Sequence, residues 1–248
     1  MDAEDAGGRF PASRSVLVRG AVLLGAAALI LALMLGLGWL VTRAEPHSGL
    51  AGVDLGIDAW LAQHRTPALD VASTVATDVC STTSVFVLGF LAAAGSAALL
   101  RRWWPAVLLA IALVGELWLF LATAMIVKRP RPPVAHVDAA LPPTSSFPSG
   151  HTGAAIALFG GVAAIVLCTV RAWWRWLVLA VAAVLVVAVA AARMYRGAHY
   201  LTDALGAVVL TVPWLLLTLW AVHLAAPSAE VRERPRARSR SDRRTSTR

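Results

Sequence analysis

Charge is what this sequence has least of. Only 15% of its 248 residues are Asp, Glu, Lys or Arg, against roughly 25% in a soluble domain. Hydrophobic residues make up 58%, and the mean hydropathy is +0.71. A water-soluble globular protein is thereby excluded. Cysteine is scarce as well: Cys80 and Cys168 are the two in the chain. They fall near opposite ends of their apolar stretches, which excludes a disulfide. Neither stands at metal-ligand spacing from a histidine, so both read as small apolar fillers. No internal repeat is present. The first apolar run also lacks an Ala-x-Ala cleavage site and leaves through Trp39-Leu40-Val41-Thr42-Arg43. It is longer than the usual run of about 7–15 residues in a signal peptide, so it is expected to be a retained anchor.

What the chain does contain is hydrocarbon, in six blocks: 18–42, 83–100, 105–127, 152–170, 176–192 and 202–223. A bilayer core of about 30 Å takes about 20 apolar residues per helix. The expected fold is therefore all-α, a polytopic membrane protein built as a six-transmembrane-helix bundle. Residues 1–15 are expected to form a disordered N-terminus, 16–226 the membrane domain, and 227–248 a disordered Arg-rich tail.

Orientation follows from the basic residues of the short loops. Arg101-Arg102-Trp103-Trp104-Pro105 and Arg171-Ala172-Trp173-Trp174-Arg175 are basic and aromatic, and eight arginines lie between Arg232 and Arg248. Six spans place both loops and both termini on one side, which the rule makes cytoplasmic. The Trp pairs suit an aromatic belt at that interface. The tail, with a net +5, fits either anionic head groups or plain solvation, and no nucleic-acid partner is expected. Segments 43–82, 128–151 and 193–201 then face outward. Stretches Val53–Leu61 and Leu69–Val75 are expected to form short interfacial helices over the outer mouth.

Two short strings on the outward side carry chemistry. The loop from Lys128 to His151 contains Arg129-Pro130-Arg131-Pro132 and ends in Pro148-Ser149-Gly150-His151. Its six prolines deny it a helix. Guanidinium groups grip phosphate oxygens in pairs and stay charged. Ser149 and Gly150 sit where a helix is expected to start, so backbone N–H groups and the helix dipole form an anion site, with Gly150 allowing close approach. The second string is Arg193-x5-His199-x3-Asp203. His199 and Asp203 are i and i+4 if the segment is helical, so the carboxylate can fix the imidazole tautomer. Two histidines suffice for phosphoryl transfer: one attacks phosphorus, and the other protonates the leaving oxygen and then activates water.

In order and spacing these strings resemble the type 2 phosphatidic acid phosphatase superfamily. Its motifs are Lys-x6-Arg-Pro, Pro-Ser-Gly-His and Ser-Arg-x5-His-x3-Asp. The chain shows Arg131-Pro132, Pro148 to His151, and Arg193, His199 and Asp203, over about 80 residues. The resemblance implies that His199 is the phosphorylated nucleophile, His151 the acid and base, and Asp203 the orienter of His199. It implies a phosphoryl cradle of Arg131, Arg193 and the backbone at Ser149 and Gly150, with no metal and no other cofactor. Two positions depart from the pattern. Ala192 replaces the motif serine, a minor change. Ala124 stands where the family has lysine, and Lys128, one turn later, can replace it if the helix continues that far. Lys128 and Arg129 have a second reading as head-group anchors, and Arg129 has no counterpart in the motifs. His136 and Asp138 lie mid-loop without motif support. Glu116, deep in the third span, lies about 18 Å from position 128 along a helix, too far for contact.

The expectation is a metal-independent lipid phosphatase of the cell membrane, acting at the outer leaflet on a lipid phosphate or polyprenyl diphosphate. A lipid phosphotransferase and a catalytically silent lipid-binding protein are the alternatives. A transporter is disfavoured because the spans lack paired broken helices and midplane charges.

Overall fold

The computed structural model describes residues 11–43, 49–138, 141 and 145–224. The disorder expected of residues 1–10 and of the tail from 227, and the prolines at 142 and 143, lie outside the described residues. All regular structure among the described residues is helical. Six helices among the described residues are long and apolar enough to cross a membrane, and the protein is a multi-pass membrane bundle.

The chain runs through α1 (Pro11–Arg43), α2 (Gly49–Gln63), α3 (Pro67–Val79), α4 (Thr82–Leu100) and α5 (Trp104–Val127). After the long loop come α6 (Gly150–Ala155), a π segment (Ile156–Gly160) and α7 (Gly161–Thr169), then α8 (Arg175–Tyr195) and α9 (Leu201–Leu219). The π segment joins α6 and α7 into a single span, Gly150–Thr169. The first helix begins at Pro11 rather than at the expected boundary after residue 15.

Local chemistry sets the starts. Thr66 accepts a hydrogen bond from the Leu69 N–H at 3.3 Å and Pro67 opens α3; Ser81 caps α4 through the Ser84 N–H at 3.3 Å. Small residues then let helices close. A Cβ on Gly115 would fall 2.1–2.6 Å from the Trp214 indole, and one on Gly89 would fall 2.5 Å from Leu113. Close backbone approach of this kind holds helices together in lipid, where hydrophobic driving force between them is weak. The indole Nε1 of Trp214 donates to the carbonyls of Ile111 and Ala112 at 3.3 and 3.2 Å, pinning α9 to α5.

The packing places α5, α6 and α9 at the centre, with α1 against α5 and α9, α4 against α5, and α8 against α6 and α7. Phe147, a loop residue, is buried among Ile30, Met34, Leu119, Leu210 and Trp214. The expected helices before the second span form as α2 and α3 and pack on α8 and α9. Tyr195 clasps α3: its hydroxyl donates to Asp70 Oδ1 at 2.8 Å and accepts from the Thr66 N–H at 3.0 Å. One end of the bundle thus lies under two short helices.

Candidate active site

The long loop begins where α5 stops. Lys128 adopts the left-handed region (φ 52°, ψ 40°), so α5 ends at Val127 and the chain turns. The helix therefore does not carry Lys128 onto the face of position 124, as expected above. Its side chain is exposed, although it still lines the cavity described below.

Arg129 turns inward, and burial overrides the head-group-anchor reading. Its Nη2 donates to Asp54 Oδ2 at 2.9 Å, and its Nη1 donates to Thr202 Oγ1 at 2.7 Å and to Asp203 Oδ1. The guanidinium also stacks over the Tyr200 ring, 4.1 Å from its centroid. Asp203 is held from a second direction, with Oδ2 accepting the Tyr200 N–H at 2.9 Å.

His199 and Asp203 meet at i, i+4, with Nδ1 3.6 Å from Oδ2. That separation is within ion-pair range but beyond a hydrogen bond. The hydrogen bond goes instead to the Ser146 carbonyl, 2.7 Å from the same Nδ1. A carbonyl only accepts, so Nδ1 carries the proton and Nε2 keeps its lone pair. Burial pulls the His199 pKa below the usual histidine value, and the nearby Asp203 carboxylate only partly opposes that shift.

Ser149 caps α6 in extended backbone, with His151 in the first turn. One expectation is corrected here. The Ser149 N–H, read as free for an anion, donates to the Asp203 carbonyl at 3.1 Å. The Ser149 hydroxyl pairs with Thr152 Oγ1 at 3.0 Å. Gly150 has a packing reason to be glycine, since a Cβ there would fall 2.8–3.1 Å from the Phe120 ring.

His136 and Asp138 are brought into the site. Asp138 Oδ2 accepts from Arg193 Nη1 at 3.2 Å, and Oδ1 accepts from Arg196 Nε at 2.9 Å and from Arg196 Nη2. Burial alone would raise the Asp138 pKa, but the hydrogen bond from Arg196 and the two guanidinium charges outweigh it and hold the pKa below the ordinary value. Arg196 also donates to Ser73 and Thr74 of α3 at 3.1 and 2.9 Å. Arg131 Nη1 donates to the Ala198 carbonyl at 2.8 Å. Gly197 holds a positive φ of 75° and faces Val134, Ala135 and His136 closely, a backbone conformation that favours glycine.

These groups converge on a cavity of about 950 Å³ lined by Lys128, Arg131, His136, His151, Arg193 and His199, and by apolar residues of α4 and α5. From Leu113 to Met125 the α5 lining runs about 18 Å at 1.5 Å per residue. One end is cationic and carries both histidines; the flank is hydrocarbon with Val85, Phe86, Leu117, Phe120 and Met125. Glu116 is the acidic group on that flank, and Gly153 makes room for it, since a Cβ there would fall 2.2 Å from Oε1.

Arginines and two histidines at one end of an apolar slot define a membrane protein equipped to take an amphiphile with an anionic head. The PAP2 superfamily model matches residues 103–226, half of the chain, and the chain belongs to that superfamily. It is thus a membrane lipid phosphatase by family, a hydrolase of phosphoric esters. Among solved structures it is similar to the first transmembrane PAP2 type phosphatidylglycerolphosphate phosphatase from Bacillus subtilis. The TM-score is 0.66 at 22% identity, covering 77% of this chain and 93% of that one, a likeness of fold. No curated protein matches the chain.

Proposed function

We propose that the protein hydrolyses a lipid phosphate monoester or diphosphate at the outer leaflet through a phosphohistidine intermediate. Support comes above all from one observation: His151, His199, Arg131 and Arg193 share a single cavity whose other wall is apolar. The lipid tail lies along α4 and α5, and the phosphoryl group rests between Arg131 and Arg193, with Lys128 nearby. Guanidinium and ammonium charge offsets the charge of the phosphoryl oxygens, while the Gly150 N–H at the start of α6 supplements them.

His199 Nε2 attacks phosphorus. The N–P bond forms as the bond from phosphorus to the lipid oxygen breaks, and His151 delivers the proton to the leaving oxygen. His151 then takes a proton from water as that water attacks the phosphohistidine, releasing phosphate and restoring neutral His199. The Ser146 carbonyl and Asp203 hold the proton on Nδ1 and stabilise the cationic ring that forms on attack.

The test is phosphate release by purified protein from phosphatidate, phosphatidylglycerophosphate and a polyprenyl diphosphate, each with excess chelator. Turnover of at least one of them is expected, with acid-labile phosphate on His199 during turnover. Loss of activity on chelation, restored by magnesium, overturns the metal-free route. Silence towards all three with intact fold overturns the lipid phosphatase reading.

A further inference from the structure

Arg129 and Asp54 lie outside the three motifs, yet both are buried at the catalytic histidine's carboxylate. We infer that Asp54 of α2, acting through Arg129, is a positioning residue for the Asp203–His199 pair. The inference rests on the function proposed above.

Asp54 is 1% exposed, and both its oxygens are engaged. Oδ2 accepts from Arg129 Nη2 at 2.9 Å and from the Thr202 hydroxyl; Oδ1 accepts from the Thr202 N–H at 3.1 Å. The same guanidinium donates through Nη1 to Asp203 Oδ1, while its plane is set against the Tyr200 ring. Arg129 also lines the cavity, but both its Nη groups point at fixed carboxylates, so the arginine serves as a strut rather than a phosphate clamp. Asp54 fixes one end of the strut and Asp203 is the other. Asp203 Oδ2, 3.6 Å from His199 Nδ1, inherits its place from that geometry.

Two facts separate a strut from mere packing. Thr202, one residue before Asp203, is held by the same Asp54 carboxylate, so α2 sets the first turn of α9 twice. Asp58 lies one helical turn beyond Asp54, also 1% exposed, with neither carboxylate oxygen hydrogen-bonded. Burial beside Arg129 therefore does not by itself bind a carboxylate into the network, whereas Asp54 is bound at both oxygens.

The test uses the full-length protein with Asp54→Asn. The variant leaves Arg129 and Asp203 as a balanced pair, so no buried charge is stranded. Turnover number is expected to fall about 10- to 100-fold, the scale of one charge-assisted hydrogen bond. The Michaelis constant and the inhibition constant of inorganic phosphate should stay within about twofold, because the phosphate cradle is untouched. Arg129→Lys, which keeps the charge but cannot bridge two carboxylates, should reproduce the pattern. If Asp54→Asn fails to accumulate in membranes, Thr202→Val removes one contact of Asp54 and one of Arg129 while leaving both carboxylate links of the strut, and a smaller fall in turnover number alone is expected. Wild-type turnover in the folded variants overturns the inference, as does a rise in the phosphate inhibition constant that accounts for the whole loss. An inactive wild-type protein would instead sink the function proposed above.

Discussion

Gly206→Ala is a one-methyl perturbation of the site, made from outside it. Gly206 lies on α9, and a Cβ there would fall 2.4 Å from Phe147 Cε2, 2.8 Å from Cζ and 3.3 Å from Cδ2. The ring would have to retreat by about 1 Å to reach ordinary contact, but it is 1% exposed and surrounded by Met34, Leu210 and Trp214. Overpacking of that kind costs about 1–3 kcal/mol, while replacing a helical glycine by alanine gains at most about 1 kcal/mol. The clash therefore wins by about 0–2 kcal/mol, a drop in melting temperature of only a few degrees for a chain of this size. Catalysis should suffer more. The neighbouring Ser146 carbonyl is the hydrogen-bond partner of His199 at 2.7 Å, and a 1 Å misplacement at a catalytic centre can cost about 100-fold. We expect phosphate release from phosphatidate micelles to fall about 10- to 100-fold at a nearly unchanged melting temperature. Adding Phe147→Leu, which removes the obstructing ring atoms, should recover a large part of the rate. Strictly additive losses in this double-mutant cycle, or wild-type turnover in Gly206→Ala alone, would refute the coupling.

Other outcomes test the remaining assignments. His199→Ala should fold, yet lose about three orders of magnitude or more in turnover; near-normal phosphate release ends its role as nucleophile. The lowered His199 pKa keeps the attacking ring neutral to lower pH, so the acid limb of kcat/KM should fall below about pH 6.5. Asp203→Asn removes a charge that raises that pKa and should move the limb lower still; a limb at or above the ordinary value contradicts the burial argument. Lys128→Ala should cost about tenfold in KM or kcat and Arg131→Ala more, since a bidentate fork is lost; kinetics of the lysine variant within about twofold of wild type would make Lys128 an interfacial anchor only. Lys128 is the sole lysine of the chain, so amine labelling mapped to its peptide, apart from the N-terminal amine, reads its exposure with and without phosphate. A reporter active only outside the cytoplasm should work when inserted near residue 140 and stay silent when fused after Arg248; the reverse moves the active site to the inner leaflet.

The spans were legible because apolar length is a property of contiguous sequence: the block over 105–127 became α5, Trp104–Val127, and 202–223 became the last span, Leu201–His223. His199 and Asp203 were legible for a similar reason, since helical spacing is short-range. What escaped depends on where chain segments end up. Asp54 stands 149 residues before Asp203, and nothing local marks it out from Asp58. Ser146 acts through its backbone carbonyl, which no side-chain pattern advertises. The end of α5 at residue 127 was legible, but the left-handed turn that follows it was not, because such backbone at a lysine has no signal in composition; that single turn exposes Lys128 and sends Arg129 inward. Asp138 was invisible because its partners Arg193 and Arg196 lie beyond an entire span.

The two arginines of Arg129-Pro130-Arg131 show how alike residues divide labour by depth. Arg129 is 6% exposed and held between the carboxylates of Asp54 and Asp203, and so has little freedom to follow a substrate. Arg131 donates to a neutral carbonyl, that of Ala198, and lines the cavity. Arg193 is intermediate. Its link to Asp138 is a single contact at 3.2 Å, whereas Arg196 holds the same carboxylate through two nitrogens. A phosphoryl group entering between Arg131 and Arg193 can therefore draw Arg193 away without freeing Asp138, because Arg196 keeps it. The loop stays fastened to α3 and α8 while one guanidinium changes partner, and the cost of reorganisation falls on the weakest contact in the network. On the function proposed above, preorganisation in this site consists of binding tightly the arginines that must not move and loosely the one that must.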